Sequence, residues 1–207
     1  MPLENRVDPF GAIHAVPERG LFTGTRGVIH DPGTKTLLSR RWTTKAWIIC
    51  TLAHPRGTRR EPMGRNAPSG GAGWTELFFA DEVTALAAGH RPCFYCRRGA
   101  AEEFRRCFVR GNRLEDASAP AMDAVLHAQR LASGGSTRIL LPGEAEKLPD
   151  GAMVAVGGQA FAVRGGTALP WRFSGYGAPE PLPRGARLVT PPATVAVLRA
   201  GYRPLWR

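Results

Sequence analysis

No stretch of this chain approaches the roughly 18 to 20 consecutive apolar residues of a membrane-spanning helix, and "MPLENRVDPFGAIHAVPERG" has no apolar signal core. A cytoplasmic protein without a membrane partner is the expectation. Lysine is nearly missing: Lys35, Lys45 and Lys147 are the only three among 28 basic residues. The skew towards arginine accompanies many Ala and Gly residues, as a GC-rich coding sequence produces, so net charge says more about partners than arginine identity does. Acidic residues number 17, which leaves a net charge of +11 and favours a polyanionic partner through long-range attraction and counterion release. Cysteine is scarce as well. Cys50, Cys93, Cys96 and Cys107 are too few for a disulfide framework at this size and point to metal or free thiols. Serine nucleophile elbow, Walker loop, Rossmann fingerprint and HExxH helix are all missing, so no common hydrolase, nucleotide-binding or zinc-peptidase reading has a motif to rest on. There is no internal repeat.

What remains is ordinary in bulk: 207 residues, 43% hydrophobic and 22% charged, with 25 Gly and 18 Pro that predict many turns. The expected class is α+β, with a small α/β module followed by a β-rich C-terminal part. Residues 1–40 lack periodicity and read as an irregular arm with one short strand near "GVIH". Residues 41–132 read as the module with its following helices. "TTKAWIICTL" is β-branched and aromatic enough for a strand, and the long loop after it is basic; Arg56, Arg59 and Arg60 belong to the densest positive segment. "WTELFF" alternates like a strand, and "ADEVTALAAG" reads as a helix capped by Asp81 and stopped by Gly89. Further helices fit residues 100–110, with Phe104, Cys107 and Phe108 on one core-facing side, and residues from about 120. "LASGGST" is the best boundary candidate. In residues 133–207, "TRILL", "AMVAV" and "QAFAV" read as strands, with Gly157 and Gly158 in a hairpin turn, and "TPPATVAVLRAGY" as a helix capped by Thr190.

The most informative stretch is "GHRPCFYCRR", residues 89–98. A CxxC serves zinc, redox chemistry or nothing at all. A thioredoxin-like pair sits at a helix N-terminus after a strand, whereas this pair follows a helix on a turn between charged residues. A zinc knuckle fits that setting, because a turn lets both thiolates face one ion. Structural zinc takes four ligands. "CTLAH" places a thiolate and an imidazole four apart upstream, which makes Cys50, His54, Cys93 and Cys96 the candidate metal set. For Cys50 the alternative is a buried strand residue; for His54 it is a loop residue, with His30, His14 or water in its place at the metal.

"FFADEVTALAAGHRPCFYCRR" resembles the closing half of the metal-binding domain of Ada-type DNA repair proteins, a module also found on bacterial nucleases. The resemblance covers residues 78–98 well, and about 45–100 with the upstream pair. There the family has Cys-x3-Cys, and "CTLAH" keeps the spacing with His54 in place of the second Cys. The resemblance implies Zn2+ held by Cys93 and Cys96, by Cys50 and by His54, in a module that contacts DNA. In the Ada proteins the first of these cysteines accepts a methyl group from a phosphotriester, which would make Cys50 the acceptor. Exchanging a thiolate for His lowers the negative charge of such a complex and its nucleophilicity, so structural zinc is the expected inheritance. Its removal is expected to unfold residues 40–110. The rest of the chain resembles uncharacterised bacterial proteins only.

Arg56, Arg59, Arg60, Arg91, Arg97 and Arg98 are the candidate nucleic-acid contacts, with Arg91, Arg97 and Arg98 set against the plainer reading of a solvated helix surface. The leading expectation is a zinc-containing protein that binds nucleic acid, DNA first, through phosphates. Its alternatives are a nucleic-acid processing or repair enzyme and a zinc-stabilised protein-interaction module. For an enzyme, the candidates are Asp123 and His127, four apart on one helix, where an acid/base pair competes with an ordinary amphipathic surface. Trp171, Phe173 and Tyr176 read as core aromatics rather than base-stacking residues.

Overall fold

The computed structural model describes residues 1–57 and 60–207. The chain is α+β, as its sequence pattern predicts. In order it forms β1 (Arg6–Val7), β2 (Ile13–His14), β3 (Phe22–Thr25), β4 (His30–Asp31), β5 (Thr36–Leu37), β6 (Ile48–Cys50), β7 (Leu77–Phe79), α1 (Glu82–Ala87) and β8 (Arg91–Pro92). Then follow α2 (Arg98–Gly111), α3 (Ala119–Gln129), β9 (Met153–Val156), β10 (Gln159–Arg164), β11 (Thr167–Arg172), β12 (Gly175–Tyr176), β13 (Arg187–Leu188) and α4 (Pro192–Arg199).

A six-stranded sheet runs β2-β1-β7-β3-β6-β8. Residues 1–40 are therefore not an irregular arm: β1, β2 and β3 are half of this sheet. Their strands are two to four residues long, too short to leave an alternating pattern in the sequence. At the centre β3 pairs antiparallel with β6, and a Cβ on Gly24 would lie 2.1 Å from the Ile48 carbonyl oxygen, so only glycine fits. A separate five-stranded antiparallel sheet, β12-β11-β10-β9-β13, confirms the β-rich C-terminal part. Val156 pairs with Gln159 across Gly157 and Gly158, both at positive φ, the turn expected from that dipeptide. "TRILL" makes only an isolated bridge, Ile139 to Arg187. Thr190 does not cap α4; its hydroxyl accepts from the Met153 N–H at 2.8 Å.

The segment 131–137 does not divide the packing. One buried cluster joins Ile49 and Phe79 of the first sheet, Leu86, Phe104 and Met122 of the first three helices, and Val197, Leu198 and Tyr202 near the C-terminus. A second joins Val83 and Ala87 of α1 to Met153, Ala162 and Trp171 of the second sheet. The Trp171 indole donates to Thr84 Oγ1 at 2.9 Å and the Tyr176 hydroxyl to Asp81 Oδ2 at 2.7 Å, so these aromatics are core as expected. Cys107 is buried beside Phe104 and Phe108. No helix among the described residues is long and apolar enough to cross a membrane.

Candidate metal centre

The ends of two neighbouring parallel strands bring the cysteines together. β6 runs parallel to β8, with Ile48 opposite Arg91 and Ile49 opposite Pro92. The Cys93 N–H donates to the Ile49 carbonyl at 3.0 Å, so Cys50 and Cys93 leave the sheet edge side by side. The chain then turns, with the Arg97 N–H on the Cys93 carbonyl at 3.0 Å, and carries Cys96 back towards them. Entry into this arrangement depends on Gly89, which ends α1 at φ +81° and whose Cβ would lie 2.5 Å from Arg130 Cβ.

The sulfurs of Cys50, Cys93 and Cys96 all lie within 4.8 Å of one another. Thiolates on a tetrahedral zinc at about 2.3 Å are about 3.8 Å apart, so the triad needs only a small contraction to close on an ion. Hydrogen bonds from the Cys50 and Cys96 thiols, aided by the backbone N–H groups of Cys96 and Tyr95, pull the Cys93 thiol far below its usual range. The Tyr95 N–H lies 3.4 Å from Cys93 Sγ. The same contact with Cys93, joined by Cys96 and by burial, raises the Cys50 thiol. Three sulfurs sharing protons in this way form a soft donor set that a divalent ion can occupy by displacing those protons.

His54 is not in this group. Its ring tilts against Tyr95, with centroids 5.9 Å apart, and its Nδ1 accepts the Arg56 N–H at 3.3 Å. His54 lines the same pocket as the three cysteines without joining the sulfur cluster. His14 and His30 do not take its place: His14 Nε2 pairs with Asp8 Oδ2 at 2.8 Å, and His30 Nδ1 is 2.7 Å from Thr75 Oγ1.

The flanking arginines are structural. Arg91 makes a two-point pair with Asp123, each N–O distance 2.8 Å, and both side chains are almost fully buried, 6% and 7% exposed. Arg97 reaches the buried Glu82 at 2.8 Å and lies over the Phe22 ring at 4.5 Å. Burial disfavours the Arg97 charge, yet the Glu82 hydrogen bond and charge raise its pKa overall. One pair thus precedes the CxxC turn and ties it to α3, and the other follows it and ties it to α1. Arg91 and Arg97, with their guanidiniums committed to carboxylates, are therefore not nucleic-acid contacts. The same pairing corrects the acid/base reading, because the Asp123 carboxylate is occupied and His127 instead packs edge-on against Trp42 at 4.6 Å. Arg26 and Arg130 are also buried, lying 3.9 and 4.1 Å from the Trp47 ring, and contribute nothing to a basic surface. Arg56, Arg60 and Arg98 are exposed; Arg98 pairs with Glu102 at 2.8 Å. Arg59 lies outside the described residues.

All three cysteines line an open pocket of about 850 Å³. Its other walls include Phe78 and Glu76, and Trp74, Tyr95, Arg56 and Arg60 stand around it. Trp74 and Tyr95 are each 55% exposed, and the Arg56 guanidinium lies 5.7 Å from the Tyr95 ring centroid. Sequence reasoning missed this pocket, although the alternation in "WTELFF" places Trp74, Glu76 and Phe78 on one side of a strand. Glu76 Oε2 accepts the Met63 N–H at 3.1 Å, and Oε1 accepts from Arg60 at 3.3 Å and Asn66 at 3.2 Å. Burial raises its pKa. Glu76→Gln presents an amide donor to one of these N–H groups and is expected to cost about 1–3 kcal/mol in urea denaturation. An unchanged midpoint would mean that Glu76 does not organise the 60–66 loop.

Comparisons with family models, curated proteins and solved structures gave no match.

Proposed function

We propose that this chain is a zinc-containing nucleic-acid-binding protein, with Cys50, Cys93 and Cys96 holding the ion and the adjoining pocket rim meeting the DNA. The observation that carries the reading is the rim itself: exposed Trp74 and Tyr95 stand beside exposed Arg56 and Arg60, next to a three-cysteine cluster. Exposed aromatic faces stack bases, and arginine forks bind phosphates. The net charge of +11 supplies long-range attraction to a polyanion. Zinc is favoured over harder cations because all three donors are sulfur. Bound there by three thiolates, it would cross-link the end of β6 to the CxxC turn and so hold the turn and the pocket wall in place. The likeness of residues 78–98 to Ada-type metal-binding domains agrees with this reading.

The test is fluorescence anisotropy with labelled single-stranded and duplex DNA across a salt series. Affinity is expected to fall steeply as salt rises. Arg56→Ala reduces the slope of log K against log salt by about 1, whereas Trp74→Ala weakens single-strand binding by about 1–3 kcal/mol. Binding that is absent, or insensitive to salt, would contradict the proposal and favour a protein-interaction module.

A further inference from the structure

A tetrahedral ion on the three sulfurs would need a fourth donor. Among the described residues, no His, Asp, Glu or fourth Cys joins the three sulfurs within 4.8 Å. His54, four residues from Cys50, borders the same pocket, but its Nδ1 accepts the Arg56 N–H and its ring packs on Tyr95. The cysteines do not close on a protein wall, since all three border the 850 Å³ pocket. Three protein ligands with one open position is the pattern of zinc sites that exchange ligands, whereas closed sites take four from the chain.

Building on the metal reading above, we propose that this is an open three-thiolate site whose fourth position faces the pocket and accepts an exogenous monodentate donor, water at rest and a thiolate when one is present. A metal with three sulfur ligands is soft and favours a further soft donor. The pocket suits an organic thiol: Phe78 and Trp74 offer apolar surface to its carbon skeleton, and Arg56 places positive charge at the rim. Binding forms one metal–sulfur bond, displaces one water, and releases the thiol proton to solvent. No electron is transferred.

Cobalt(II) replacing zinc in the full-length, reduced protein makes the site visible, because thiolate-to-cobalt charge transfer counts sulfur ligands and the d–d bands report geometry. The probe is 2-mercaptoethanol, titrated into the wild type and His54→Ala, with cobalt content measured after each addition. The expected wild-type result is a saturable rise of roughly one third in the charge-transfer band, as three sulfur ligands become four, with cobalt retained. His54→Ala should start from the same spectrum and respond identically. Cobalt bound with a spectrum indifferent to thiol overturns the open position and leaves the metal reading standing. So does a thiol response seen only in His54→Ala, which would show that His54 closes the site. Failure to bind cobalt at all, at any protein-to-metal ratio, defeats the underlying metal reading instead.

Discussion

Asp123→Ala is expected to destabilise the protein by about 3–5 kcal/mol, because it leaves the Arg91 guanidinium buried without its counter-charge. The pair is nearly sealed from solvent, and both carboxylate oxygens are used. Removing one partner of such a pair costs more than the pair itself contributes, since the desolvated charge remains. Glu82→Ala should behave alike, as that carboxylate accepts from Arg97 at 2.8 Å, the Tyr202 hydroxyl at 2.7 Å and the Leu205 N–H at 3.0 Å. Urea denaturation reads both effects. A second readout separates support of the metal centre from general packing. Groups that orient metal ligands typically change metal affinity by about 10- to 100-fold when removed, so both variants should release zinc to a competing chelator more readily while still folded. The double variant Arg91→Met with Asp123→Leu should regain most of the lost stability, because an apolar pair of similar volume carries no desolvation penalty. If Asp123→Ala is as stable as the wild type, the carboxylate is not committed to Arg91 and becomes available for acid/base work.

Chelation of the metal from the reduced protein is expected to loosen the segments around the cysteines, residues 50–57 and 93–97, without unfolding residues 40–110. The sequence pattern alone suggested a self-contained module that would collapse without zinc. The packing argues otherwise, because α1 and α2 share their buried cluster with α4 and Tyr202, and α1 also packs on the second sheet. Hydrogen exchange should therefore accelerate by at least about tenfold at the amides of Tyr95 and Arg97, consistent with local opening well below the global free energy. Amides within α2 and α4 should keep most of their protection. Uniform loss of protection across residues 40–110 would restore the module picture and show that the shared core does not hold that region by itself.

The legible parts of this chain were those with a local chemical signature. Asp81 as helix cap, Cys107 as core and the glycine hairpin at 157–158 all follow from short-range rules, and the structure contains each of them. Cys93 and Cys96 were legible as a pair for the same reason. Cys50 joined them because it ends a strand whose parallel neighbour leads directly into Cys93, a relation that spacing merely suggests. What the sequence hid was non-local. Arginine near a CxxC reads as a phosphate contact until its partner is known, and the partners of Arg91 and Arg97 lie 32 and 15 residues away. The brief strands before residue 26 are stabilised by pairing across the sheet rather than by pattern, so they left no periodic trace. His54 failed for a related reason: matching a spacing does not fix the direction in which a loop leaves its strand.

The central claim, a metal held by three cysteines, is tested most directly by elemental analysis of the freshly reduced wild-type protein beside Cys50→Ser, Cys93→Ser, Cys96→Ser and His54→Ala. The account predicts one zinc per chain in the wild type, its loss in each cysteine variant and its retention in His54→Ala. A wild-type protein that neither carries zinc nor takes it up would contradict the account and leave only three thiols at the edge of a pocket.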